Sequence, residues 1–246
     1  MRPEPKDVEA LIREKYAGDA SAEGVAEDLE RLSLGEPLAY VIGHIPFLGL
    51  SIALDSRPLI PRPETEWWAE GLCERIGNEP LRVLDLCAGS GAIGLSVLAK
   101  CKNAHVSFGE LSEMDAHQIG ENLQGNGLDA SRADLRQGDL FGPFLGVQFD
   151  LIATNPPYIP EGRALPDEVL RFEPREALYA GPDGLVLIRR ILEEAPRHLS
   201  PGGELWMECD IKNIEEAREL ALASGFARSE IRTDQYGRPR LLVSYL

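Results

Sequence analysis

Long apolar runs are missing from this sequence. The longest candidate, Leu38 to Leu54, is interrupted by His44, Pro46 and Ser51, and nothing approaches the roughly 18 residues that a membrane-spanning helix needs. The start, MRPEPKDVEALIREKY, is too charged for a signal peptide. Cysteine is scarce as well: Cys73, Cys87, Cys101 and Cys209 form no C-x-x-C pair and fall in stretches that read as helix or strand interior. Reduced thiols behave this way, and a cytoplasmic setting is expected. His44, His105, His117 and His198 lack ligand spacing, so no metal is expected. Basic residues are few, 25 against 41 acidic, for a net charge of −16. That balance, with no basic-aromatic tract, disfavours nucleic acid and anionic membranes as partners. Low-complexity tracts and repeats of solenoid or propeller period are absent.

What is present is 246 residues of patterned chain, enough for one large domain carrying a small attachment. Val8, Leu11, Ile12 and Tyr16 keep helical spacing, and Val25, Leu29 and Leu32 do so again after a Ser21 cap, which predicts a small helical pair. From Leu38 to Ile60 the pattern alternates, with Leu48, Leu50, Ile52 and Leu54 on one side, as in a hairpin. The segment IPRPETE then fixes φ at Pro61 and Pro63 and forms a stiff elbow into a helix over 64–76. Beyond Pro80, strands and helices alternate: RVLDLC, helix 91–101, AHVSFGE, helix 112–124, ADLRQ, FDLIATN, helix 184–198, GELWMEC, helix 212–224 and two last strands near 227–232 and 240–246. Such alternation implies a parallel sheet covered on both faces. Ligands bind these sheets at the carboxyl ends of the strands, so chemistry is sought in the residues after each strand.

After the first of these strands, VLDLCAGSGAIG sets Gly89, Gly91 and Gly94 in a G-x-G-x-x-G array, where bare backbone can approach a ligand. A tight turn binding nothing would look the same. The next strand ends at Glu110, whose carboxylate can accept both hydroxyl protons of a ribose. NAD and S-adenosylmethionine both use this corner. Asp85, four residues before Gly89, makes a D-x-x-x-G-x-G that resembles the first motif of S-adenosylmethionine-dependent methyltransferases, in which the acid holds the loop near the amino-acid part of the cofactor. An Asp capping loop amides is the ordinary alternative. After the third strand, QGDLF places Asp139 to accept an adenine amino group, with Leu140 and Phe141 covering the ring, or simply in a turn before Gly142-Pro143. LSPGGEL, 199–205, looks like the turn before such a fold's fifth strand.

The core strand FDLIA ends in TNPPYI, residues 154–159. An isolated N-P-P reads as a strand-ending turn. At this position it also suits transfer to a planar NH2 group, whose lone pair is delocalised and must be freed by pulling both hydrogens out of plane. The side-chain oxygen of Asn155 and the carbonyl of Pro156 form such a pair of acceptors. Pro156 and Pro157 fix φ and bring no competing N–H, and Tyr158 offers a flat wall. Orientation of this kind is worth about 7–11 kcal/mol.

Taken in order, EPLAYVIG, LIPRPETE, VLDLCAGSGAIGLSV, NPPYI, RFEPREAL, GPDGL and DQYGRPRLL resemble the HemK/PrmC family from about residue 36 to the last. N-P-P-Y alone is shared with adenine-N6 and other amino-methyltransferases, whereas IPRPETE with RFEPREAL is far more restrictive. The resemblance implies a Rossmann-like class I S-adenosylmethionine-dependent methyltransferase of α/β class, with a seven-stranded, mostly parallel sheet over 64–246. A short helical domain, 1–36, and a β-hairpin linker, 37–63, would precede it. It implies transfer to the side-chain nitrogen N5 of the GGQ glutamine in peptide-chain release factors; a monomer is expected, and the charge balance argues against a direct nucleic-acid or membrane partner. Asn155 and Pro156 would bind the glutamine amide, and Pro157 and Tyr158 would shape its pocket. Cys87, Ala88, Gly89, Ser90, Gly91, Glu110, Leu140 and Asn155 would contact S-adenosylmethionine, beside Asp85 and Asp139. RFEPREAL would form a partly ordered flap, although Arg171, Glu173 and Arg175 suit a solvated loop equally. The chain departs from the family at Cys87, often Gly; at Glu110, usually Asp; at IPF, 45–47; at MECDIKN; and in the roughly halved segment before PLAYVIG. Adenine-N6 transfer and a non-catalytic NAD-binding module are the competing functions.

Overall fold

The computed structural model describes residues 3–246. Two helices, α1 (Pro5–Tyr16) and α2 (Val25–Ser33), realise the expected pair. Ser21 does not cap α2: its N–H and hydroxyl both turn back to Asp19 Oδ1, and Gly24, in left-handed backbone, takes the N-cap position. The turn uses both Ser21 donors locally, and with Gly24 at the N-cap Ser21 stands three residues ahead of the position from which a side chain accepts the first-turn amides. The alternation expected from Leu38 is realised only in part. Residues 38–42 form a third helix, α3 (Leu38–Ile42), closed by Gly43, and the hairpin is confined to β1 (His44–Phe47) and β2 (Leu50–Ala53). Leu48, expected on the apolar side, sits in the turn at φ 48°. Leu11, Leu32 and Val41 close a small core of their own among these helices.

The hairpin lies along α6 (Glu113–Gly125) because that helix carries amides at every fourth position. Gln118 Oε1 accepts from Ser56 N–H, the Asn122 side chain bonds both N–H and C=O of Ala53, and Asn126 does the same at Ser51. An open strand edge is thereby satisfied without a further strand. Glu66, on α4 (Pro63–Ile76), accepts from Leu48 N–H at 2.7 Å and fixes the other end.

The main sheet has the order β5 (Ala133–Gln137), β4 (His105–Glu110), β3 (Arg82–Leu86), β6 (Phe149–Thr154), β7 (Leu199–Glu208), β9 (Pro239–Tyr245) and β8 (Arg228–Thr233). β5, β4, β3, β6 and β7 are parallel, and β9 and β8 add antiparallel at one edge. The turn expected over 199–205 is instead an irregular start of β7, where Phe149 faces Leu199 while Leu151 already faces Glu204. Strand residues alternate between two cores. Val83, Val106 and Leu151 pack against α4, α5 (Ala92–Lys100) and α6, whereas Leu84, Leu86 and Ile152 pack against α8 (Val186–His198) and α9 (Ile214–Ala223). Each fully buried aliphatic side chain here contributes roughly 1.5–3 kcal/mol.

The chain runs outward from β3 through β4 to β5, then returns to open the other half at β6. Strand order therefore reverses between β3 and β6, whose ends, Leu86 and Thr154, pair directly. The glycine loop and TNPPYI leave the sheet side by side at this reversal, where such folds open a crevice.

Candidate active site

A cavity of about 420 Å³ fills the crevice, within the range of cofactor sites. Cys87, Ala88, Gly89, Ser90, Glu110, Asp139, Leu140, Asn155 and Pro157, all singled out from the sequence, line it. Asp85 and Gly91 lie behind its wall. Asp85 is wholly buried beneath the loop, where Oδ2 accepts the Gly94 N–H at 2.8 Å and Oδ1 has no partner. Burial pushes its carboxyl up to about 8. Gly91 caps α5 at φ 80°, and the third glycine works by close packing, since a Cβ on Gly94 would stand 2.4 Å from the Phe108 ring.

Glu110 Oε2 accepts the Gly89 N–H at 2.7 Å and Oε1 the Ser112 N–H at 2.9 Å. Each oxygen keeps a further lone pair toward the cavity, as two ribose hydroxyls require. Burial raises this carboxyl, against the pull of the amides. Asp139 is forked by Arg190, at 2.7 and 3.2 Å. Phe141 does not cover the cavity. It is turned into the core and stacks on His198 at 4.6 Å, because the chain reverses at Leu140, held at φ 45°. Cys87 is a second non-glycine residue in left-handed backbone, at φ 56°, which accounts for glycine being usual there. Desolvation in the loop, with the neighbouring Glu110 charge, pushes its half-buried thiol up to about 12, so it stays protonated at neutral pH.

A smaller cavity of about 140 Å³ adjoins the first. Arg62, Asn155, Pro156, Tyr158, Leu165 and Val169 are among its walls, and Asn155 belongs to both. The Asn155 Nδ2 donates to Thr65 Oγ1 at 3.3 Å, while its Oδ1 is buried and unpaired. The Pro156 carbonyl accepts no hydrogen bond among the described residues. Two acceptors without partners among the described residues thus belong to residues that line the small cavity, and Asn155 lines the large one as well. The flap, with α7 (Asp167–Phe172) and a 3₁₀ turn at 175–177, closes the small cavity. Within it Glu173 is no solvated residue: it is 5% exposed and accepts from Arg62 at 2.6 Å and from Ile60 N–H at 3.2 Å. Arg171 reaches the Leu34 carbonyl, and Arg175 lies over Tyr179.

Residues 69–172 match the family model described as the methyltransferase small domain. The release factor glutamine methyltransferase of Moorella thermoacetica is 37% identical over 240 residues, covering 96% of this chain and 84% of its own. That of Bordetella pertussis is 40% identical over 215 residues, covering 86% and 78%. The chain belongs to the release factor glutamine methyltransferase family. A methyltransferase from Pyrococcus furiosus superposes with a TM-score of 0.59 at 18% identity, over 89% of this chain and 98% of its own. A Thermus thermophilus 16S rRNA methyltransferase, solved with AdoMet and guanosine, superposes equally at 20% identity, over 82% and 49%. Both show the same fold.

S-adenosylmethionine is this family's methyl donor, and the large cavity suits it electrically. Its wall carries the carboxylates of Glu110, Asp115, Asp139 and Glu176 and, among the described residues, no Lys or Arg. S-adenosylmethionine, with a sulfonium, an ammonium and one carboxylate, is a net cation and matches such a wall. A dinucleotide pyrophosphate would meet four acids, of which only Asp139 is ion-paired among the described residues, to Arg190.

Three residues of this family member were not singled out from the sequence. Glu208, at the end of β7, is 1% exposed and accepts from Thr65 Oγ1 at 2.7 Å, Trp68 Nε1 at 2.8 Å and Tyr158 Oη at 3.1 Å. Thr65 sits inside IPRPETE, the signal that could have found it, while Glu208 lies in the divergent MECDIKN. Trp68 is buried and Trp67 half exposed, and neither lines a cavity. The third, Gly184 of GPDGL, lies against the NPPY backbone at φ 77°, and a Cβ there would stand 2.3 Å from the Tyr158 carbonyl oxygen. Gly184→Ala is therefore expected to displace residues 158–160, lowering stability by about 2 kcal/mol or more and turnover with it. Denaturant unfolding beside a methyl-transfer assay checks this, and an unchanged unfolding midpoint would show that the contact holds nothing.

Proposed function

We propose that this chain transfers a methyl group from S-adenosylmethionine to N5 of the glutamine in the GGQ motif of peptide-chain release factors. The observation that carries the reading is Asn155, shared by both cavities, with its buried oxygen free. Glu110 would hold the ribose hydroxyls, Asp139 and Leu140 the adenine, and the loop 87–91 above Asp85 the remainder. The donor supplies an electrophilic methyl carbon on sulfur. In the small cavity, Asn155 Oδ1 and the Pro156 carbonyl accept the two amide N–H groups of the glutamine, drawing its hydrogens out of plane so that the nitrogen lone pair is exposed. Pro157 and Tyr158 keep these acceptors rigid, Tyr158 being tied to Glu208 through its hydroxyl and to Asn213 through its carbonyl. A carboxylate at position 155 would attract the donor's ground-state charge as well, stabilising what must react.

The functional units assigned are a docking module over 1–36, a hairpin linker over 37–63 and the methyltransferase domain over 64–246. The small core of the first helices is separate from the sheet, but it reaches past residue 36 to Val41, so α3 packs with the first unit although it falls in the linker segment. A monomer acting in the cytoplasm on a protein, not on nucleic acid, accords with the net charge of −16. Labelled S-adenosylmethionine is expected to mark a release factor and not its GGQ Gln→Ala variant. Equal labelling of the two would refute the assignment.

A further inference from the structure

A side-chain amide has a donor end and an acceptor end of nearly equal shape, and only one end of Asn155 can serve the reaction. Thr65 decides between them. It lies in the first turn of α4, lines the large cavity, and places Oγ1 2.7 Å from Glu208 Oε2 and 3.3 Å from Asn155 Nδ2. A threonine hydroxyl has one proton. Glu208 is buried, and its Oε2 already accepts from the Trp68 indole N–H, which can only donate, while Oε1 faces the Tyr158 hydroxyl; Oε2 is therefore an acceptor and the Thr65 proton is directed to it. The Thr65 oxygen is then an acceptor toward Asn155. Facing it, the amide must present NH2, and Oδ1 is left buried and unpaired where the two cavities meet. The opposite rotamer would set the lone pairs of two oxygens against each other at Thr65 and turn an NH2 toward the substrate NH2.

We propose that Thr65, oriented by Glu208, is the positioning residue that sets which way round the Asn155 amide faces. The proposal rests on the reading in which Oδ1 receives an N–H of the methyl acceptor, and it concerns a residue that touches neither reacting atom.

Thr65→Val keeps the shape and removes the hydroxyl, whereas Thr65→Ser keeps the hydroxyl. Valine is expected to lower kcat about tenfold, the worth of one hydrogen bond, with KM and the S-adenosylmethionine Kd from calorimetry within twofold. Serine is expected to restore kcat. In an Asn155→Ala background the valine change should cost nothing further, since Thr65 acts through Asn155. A second readout needs no turnover: the Asn155 Nδ2 protons, assigned by their loss in Asn155→Ala, should exchange with water at least tenfold faster in Thr65→Val than in the parent or Thr65→Ser. An unchanged kcat, the same proportional loss in the alanine background, or unaltered amide exchange overturns the proposal, as does a weakening of cofactor binding equal to the loss of kcat. A parent protein that leaves release factors unlabelled yet shows the exchange difference would overturn the proposed substrate and leave the positioning role standing.

Discussion

Asn155→Ala is expected to reduce kcat by about 10²–10³ while S-adenosylmethionine binding changes little. The asymmetry follows from where the side chain sits. Asn155 contributes one wall among many to a cavity of about 420 Å³, but its oxygen is a buried acceptor without a partner in the residue that also lines the small cavity. An amide nitrogen held by the Pro156 carbonyl alone would keep one hydrogen in plane and its lone pair largely delocalised. The lost interaction is therefore one that strengthens as the nitrogen turns nucleophilic, which lowers kcat and kcat/KM together and leaves ground-state binding nearly intact. Single-turnover transfer to a release factor, with calorimetry of the donor, measures both halves. Near-normal turnover in the alanine variant would remove the acceptor pair from the mechanism.

Much of this site could be read before any coordinates because a parallel sheet converts order along the chain into position. Glu110 ends a strand and Asp139 and Asn155 each follow one, and the strand rule alone brings them to one edge. The rule is silent about direction. Leu140 and Phe141 look equivalent in QGDLF, yet the left-handed backbone at Leu140 turns one to the cavity and the other onto His198. It is silent, too, about partners brought from afar. Thr65 and Glu208 meet only because α4 lies along β7, with Thr65 and Trp68 at Glu208 and Arg75 at Glu204, and no local period encodes that packing. Glu173 reads as one charge in a polar loop until Arg62 and Ile60 N–H are found opposite it. Ser21 and the residues of α3 were misjudged for a simpler reason. A short side chain chose the nearer partner, Asp19, and five residues are too few for alternation and helical spacing to be told apart.

The second large effect concerns Asp85 and pH. Its carboxyl, ordinarily near 3.8, is pushed up to about 8, first by burial and then by the neighbouring Glu110, with the Gly94 N–H opposing. The folded protein therefore holds a proton here that the unfolded chain releases above about pH 4. Stability falls wherever the folded state binds the extra proton, so this group's contribution is complete below about 3.8, declines as pH rises toward 8, and is level beyond. The decline is at most about 1.4 kcal/mol per pH unit for one proton, several kcal/mol across the window. Asp85→Asn keeps an oxygen for the Gly94 N–H and cannot ionise. The variant is expected to be the less pH-sensitive protein, its stability relative to the parent climbing steadily from pH 5 to pH 8 and then levelling. Glu110, Asp115 and Glu208, also raised chiefly by burial, tilt both proteins the same way and largely cancel in the difference. Urea unfolding at intervals across that range gives the difference curve directly. A flat curve would mean that Asp85 is already ionised in the ligand-free fold, balanced by a cation or water at its unpaired Oδ1, and that burial does not govern its charge.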